Sequence, residues 1–178
     1  MPDVPKLKFF RALWGAEGQF STDINILFAE FRRLGYAGVE ATLKDIHRLC
    51  LNDPDHFHRA LQNNELDFIG LVQTNYPTVK DDQWQDLSIN QHVANLGQHF
   101  EEFMNYHPVH INIQGGQDSW SIEQNEEFFE KALQVQAQYP NVTSSHEARD
   151  ERYLLYLKFY PCHFFFRHIE LVRCTIRS

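Results

Sequence analysis

The chain is poor in the residues that would divide it, cross-link it or carry it into a lipid. Of its 178 residues only 8 are glycine, 7 proline and 3 cysteine. No Pro-, Gly- or Ser-rich linker separates one region from another, so the length reads as one domain with room for a real core. Cys50, Cys162 and Cys174 are odd in number and lack metal-type spacing, which argues against a disulfide framework and for a reducing compartment. No uncharged apolar run reaches the length of a membrane span, and Met1 to Lys6 lacks the apolar segment of a secretory signal. A cytoplasmic protein with no membrane partner is expected.

Positive charge is also scarce, at 16 Lys and Arg against 24 Asp and Glu. The shortage is uneven: residues 1–152 carry a formal −11, whereas residues 153–178 carry +3. An acidic body does not draw a phosphate backbone from a distance, so nucleic acid is not expected as a partner. Asn141-Val142-Thr143 matches a glycosylation sequon, which means nothing in a cytoplasmic strand.

What the chain does have is alternation between short apolar runs and longer helical patterns. Phe9 to Gly15 reads as a first strand, and Ser21-Thr22-Asp23 caps a helix with Ile24, Leu27, Phe28, Phe31 and Leu34 on one side before Gly35 stops it. Tyr36 to Ala41 is a second strand. A polar connection with Asp45, His47, Asp53, Asp55, His56 and His58 leads to a short helix around Phe57 to Asn63; Pro54-Asp55 is an ordinary helix start, and two histidines two residues apart do not share a helix face, so a metal site is not expected there. Leu66 to Gln73 is a third strand, Ser88 opens a helix carrying Val93, Leu96, Phe100, Phe103 and Met104, and His110 to Gly116 is a fourth strand. Ser121 with Gln124 makes a capping box for a helix with Phe128, Phe129, Ala132, Leu133 and Val135, stopped at Tyr139-Pro140, and a fifth strand follows. Strict strand–helix alternation means a parallel α/β sheet. Such sheets gather function at the strands' C-terminal ends, where Trp14, Glu40, Gln73, Gln114 and Glu147 all fall.

The fourth strand is unusual. His110, Asn112 and Gln114 alternate with Ile111 and Ile113, so three polar side chains leave one face, and polar groups that are buried need partners. Gly115-Gly116 then ends the strand with a turn where a ligand could come close to the backbone.

Three segments in this order carry a resemblance: Leu34-Gly35-Tyr36-Ala37-Gly38-Val39-Glu40, then His110-Ile111-Asn112-Ile113-Gln114-Gly115-Gly116-Gln117-Asp118-Ser119-Trp120, then His146-Glu147. Over about residues 8 to 157 the chain resembles the xylose-isomerase-like barrels, the sugar phosphate isomerase/epimerase group. The resemblance implies a partial (β/α)8 barrel of about five βα units across residues 1–157, with residues 158–178 a divergent tail. It further implies a divalent metal (Mn, Mg, Co or Zn), weakly or incompletely held, and proton transfer next to the carbonyl of a small-molecule sugar. Glu147 falls on the family's metal-binding glutamate and would serve as ligand and base; Glu40, His110, Asn112, Gln114 and His146 would meet the substrate, His146 by orienting a neighbour. The chain ends before the family's later aspartate, histidine and second glutamate ligands, and a whole barrel takes about 250 residues. Two other readings follow: an apurinic-endonuclease-like metal-dependent phosphodiesterase of the same barrel, and a non-catalytic truncated remnant that self-associates through open sheet edges.

Overall fold

Five short strands pair side by side in chain order, β1-β2-β3-β4-β5, every neighbouring pair parallel. They are β1 (Phe10–Ala12), β2 (Gly38–Ala41), β3 (Asp67–Gln73), β4 (His110–Gln114) and β5 (Thr143–His146). The helices are α1 (Ile24–Arg33), α2 (Leu43–Cys50), α3 (Pro54–Asn63), α4 (Ile89–Phe103) and α5 (Ile122–Gln136). This computed structural model describes residues 7–147 apart from 17, 19, 51–52, 77–85 and 118. A parallel sheet whose successive strands are neighbours, each pair joined through helix, is the architecture of about five βα units of a (β/α)8 barrel.

The helices begin where the sequence offers an oxygen for an orphan N–H. Asp23 accepts from Asn25 N at 2.8 Å, and Ser88 and Ser121 each complete a capping box, with Gln91 and Gln124. Gly35, with φ +88°, supplies the left-handed residue after α1. The helices' apolar stripes then meet one face of the sheet. Phe57 of α3 packs its ring against Phe28 of α1 at 5.8 Å, Phe68 of β3 at 5.0 Å and Tyr106 at 5.9 Å, and all four are buried. Gly70 on β3 leaves room for the Phe103 ring, 3.1 Å from where a Cβ would stand.

Three expectations fail locally. The polar connection after β2 is a helix: Thr42 and Asp45 cap α2 reciprocally, Asp45 N donating to Thr42 Oγ1 at 3.1 Å and Thr42 N to Asp45 Oδ2 at 3.3 Å, while Leu43, Ile46 and Cys50 bury its inner side. The polar residues that hid it line its wet side. Leu34 and Leu133, expected in the stripes of α1 and α5, are 47% and 45% exposed. Leu34 sits at the cap, and Leu133 next to the buried Ala132 has turned past the sheet. The tail and the boundary at residue 157 lie outside the described residues. No helix among the described residues is long and apolar enough to cross a membrane.

Candidate active site at the carboxyl edge

Register decides which side chains share a face. His110, Asn112 and Ile113 pair with Thr143, Ser145 and His146, and Ile69, Leu71 and Gln73 pair with His110, Asn112 and Gln114. Alternation therefore puts Gln73, His110, Asn112, Gln114, Thr143, Ser145 and Glu147 on the face away from the helices, called inner here, and Ile111, Ile113, Ser144 and His146 on the helix side. Every residue of β4 is buried, the three polar ones included, so their partners are what the fold must supply.

It supplies them mostly from neighbouring strands. At the carboxyl edge Gln73 Nε2 donates to Gln114 Oε1 at 3.0 Å, and Gln114 Nε2 donates to Glu147 Oε2 at 2.6 Å. The two amides thus form a chain across β3 and β4 whose donors both point toward one carboxylate. One layer deeper, Asn112 Nδ2 reaches past β3 to donate to Glu40 Oε1 at 3.1 Å. His110 meets two hydroxyls of β5, Thr143 Oγ1 on Nδ1 and Ser145 Oγ on Nε2, each at 2.8 Å. Burial lowers the His110 pKa, so the ring is held neutral.

Of the residues expected at the site, Glu40, His110, Asn112, Gln114 and Glu147 come together on this face. His146 does not. It projects to the helix side, where Gln136 Nε2 donates to its Nε2 at 2.6 Å and the Phe129 ring lies edge-on at 4.9 Å. Desolvation pushes its pKa down to about 4. Its place in a substrate site is therefore corrected: it fastens α5 to β5, because on a strand it must point opposite to Glu147.

The Gly115-Gly116 turn also has a structural cause rather than an approaching ligand. A Cβ on Gly115 would run into the Phe128 ring at 2.5 Å, and Gly116 has φ +81°. Gly116 N donates to Thr74 Oγ1 at 3.2 Å, which also meets His92 Nδ1 at 2.6 Å. Gln117 Nε2 donates to the Leu87 carbonyl at 3.0 Å and faces His92 Nε2 at 3.2 Å, which makes that nitrogen an acceptor and leaves the proton on Nδ1. Desolvation holds His92 near a pKa of about 4. Beside this network is a groove of about 580 Å³ between the starts of α4 and α5, lined in part by Ser88, Asn90, Gln117 and Gln124. Those groups are committed to caps, to Lys131 and to the Leu87 carbonyl, and neither Gln114 nor Glu147 reaches the groove.

Thr143 and Ser145, which sequence reasoning left out, are as much part of the inner face as His110. Their signal was present: 143, 145 and 147 alternate just as 110, 112 and 114 do.

The divalent metal that the resemblance implies does not fit the described donor set. Among the described residues no group of three or more His, Cys, Asp or Glu side chains is placed to hold an ion. Divalent cations of this kind take several fixed oxygen or nitrogen ligands. Both His110 nitrogens already meet hydroxyls, so His110 is not available to an ion beside Glu147. Among the described residues there is no thiolate either: Cys50 is buried, and its thiol is pushed up to about 12.

No protein-family model matches the chain, and no curated protein matches it. Among solved structures the chain is similar to endonuclease IV from Thermus thermophilus, at 15% identity and a TM-score of 0.47, over 80% of this chain and 51% of that one. The chain thus spans about half the length of that protein.

Proposed function

We propose that the chain is a sugar isomerase/epimerase-like protein that takes a small polyhydroxylated carbonyl compound at the carboxyl edge of β3, β4 and β5, with Glu147 as the base. The observation that carries this reading is the oriented chain Gln73 to Gln114 to Glu147. A base that removes a proton next to a carbonyl must be an acceptor fixed in place. An amide donating to one carboxylate oxygen, and itself anchored by a second amide, fixes it. The proton leaves C2 for Glu147 and returns to C1 while the proton of the O2 hydroxyl passes to O1 through solvent, which converts an aldose to a ketose. Asn112 and Glu40, one layer deeper, are suited to substrate hydroxyls, which both donate and accept. The acidic body supports a neutral or weakly charged substrate over a nucleic acid, whose recognition needs a basic rim.

The test is solvent exchange. The full chain is incubated with aldopentoses and aldohexoses in D₂O, with and without manganese, and deuterium at C2 is followed by NMR. Incorporation that falls about a hundredfold or more in Glu147→Gln supports the reading. Incorporation unchanged in that variant removes Glu147 from the chemistry. Cleavage of an abasic DNA duplex in place of exchange would mean phosphodiesterase chemistry, and neither activity, in a chain that associates in light scattering, would mean a non-catalytic remnant.

A further inference from the structure

One hydrogen-bond chain on the inner face has a direction that its neighbours fix. The Thr143 hydroxyl donates to the Val109 carbonyl at 3.3 Å, so its oxygen is left to accept from His110 Nδ1 at 2.8 Å. A neutral imidazole with a proton on Nδ1 has only a lone pair on Nε2. Ser145 Oγ, 2.8 Å from Nε2, must therefore be the donor. The serine's single proton is turned into the protein, and its lone pairs are what it can offer to anything else.

The arrangement is that of a nucleophile, a base and an orienting group, yet it is ill suited to moving a proton. Burial disfavours the imidazolium, and the ring nitrogens meet hydroxyls, with no carboxylate to stabilise a charge. The histidine is a fixed acceptor. Ser145 is half-buried, lies directly opposite Asn112 and precedes Glu147 by two residues on the same face, roughly 6.6 Å along the strand.

We infer that Ser145 is a further substrate-contacting residue, accepting a hydrogen bond from a substrate hydroxyl one layer below the carbon that Glu147 deprotonates, with His110 and Thr143 as positioning residues that act through it. The inference rests on the isomerase reading of Glu147. It reassigns His110, whose nitrogens are both engaged within the protein, from touching substrate to aligning the serine. It also specifies chemistry: the site requires a donor at this point, so replacing the one hydroxyl concerned by fluorine, which only accepts, sets lone pairs against lone pairs.

The experiment uses the full chain and the aldose that exchanges fastest in the assay above. Ser145→Ala is expected to raise KM about tenfold while kcat changes little, and the penalty for fluorination at one hydroxyl position of the sugar is expected to vanish in that variant. Thr143→Val, which keeps the shape and loses the hydroxyl, should raise KM in the same sense, and Thr143→Ser should restore it. In the ¹⁵N spectrum of histidine-labelled chain, His110 should show a protonated Nδ1 and an unprotonated Nε2. Unchanged kcat and KM in Ser145→Ala, or a protonated Nε2, overturns the inference while the isomerase reading stands. If the wild-type chain exchanges no aldose, both fall together.

Discussion

The two faces of the sheet are built on opposite principles. Toward the helices, β3 and β4 present Phe68, Val72, Ile111 and Ile113, all buried among rings such as Phe57, Phe100, Phe103 and Phe128. Away from the helices β3 still presents Ile69 and Leu71, but β4 presents His110, Asn112 and Gln114, all buried, and with Gln73 at the end of β3 each is answered by a named polar partner. Apolar burial is non-directional, so the first face is stable without being specific about angles. Hydrogen bonds are directional, and their net contribution is small unless one partner is lost. A face held this way costs stability to maintain and fixes side chains in place, which is what a binding surface needs and a core does not.

The comparison breaks most visibly on the helix side. Phe57→Ala removes a fully buried ring that touches Phe28, Phe68 and Tyr106, and it is expected to cost about 3–5 kcal/mol in urea denaturation. A loss below about 1 kcal/mol would mean that the ring cluster is not the core. Of at least comparable size, at its acid extreme, is the loss on protonation. His92 and His146 have folded pKa values near 4 against about 6.5 unfolded, so below pH 6.5 the unfolded chain takes up protons that the folded chain refuses. Stability should be full above pH 6.5 and fall toward pH 4 by up to about 1.4 kcal/mol per pH unit for each ring. Denaturation at several pH values in that window checks it, and His146→Gln should make the slope shallower. On the inner face Gln114→Leu leaves Gln73 and Glu147 without the amide between them, and about 1–3 kcal/mol is expected. A stabilised Gln114→Leu would show that this face behaves as ordinary core.

The helix-side face was the legible one. Phe28, Phe31, Phe100, Phe103 and Phe128 recur at helical spacing, Ser88 and Ser121 stand three residues before a glutamine, and Pro54-Asp55 opens α3, so the residues themselves announce where four of the five helices lie. Alternation along β4 likewise gave the inner face from His110 to Gln114. Pairing was harder, because it depends on register between strands some thirty residues apart. Nothing local says that Thr143 and Ser145 sit on His110, or that Asn112 reaches Glu40 across β3. The polar run from Lys44 to His58 hid α2 for a similar reason: its three inward residues, Leu43, Ile46 and Cys50, are few, and its cap pairs a threonine with an aspartate three residues on. His146 was counted with the substrate contacts, as a residue that orients a neighbour while pointing away from Glu147, because nothing local shows that this neighbour is Gln136 of α5 and not a residue of the site.

The smallest expected effect lies at the carboxylate that the inner face is arranged around. The described residues put a hydrogen-bonding amide on Glu147 and commit both nitrogens of His110 elsewhere, so an added ion would find one carboxylate and complete its shell with water. Sites with so few protein ligands fall at about millimolar affinity or weaker. Calorimetric titration of the full chain with manganese, magnesium, cobalt and zinc should therefore show millimolar binding at best, and Glu147→Gln should shift it less than about twofold, while the same variant abolishes C2 exchange. The two readouts part company only if the carboxylate serves as a base and not as a metal ligand. Stoichiometric, micromolar binding lost in Glu147→Gln would reverse that assignment, since the ion would then hold the carboxylate and the amide chain from Gln73 would serve to orient a ligand.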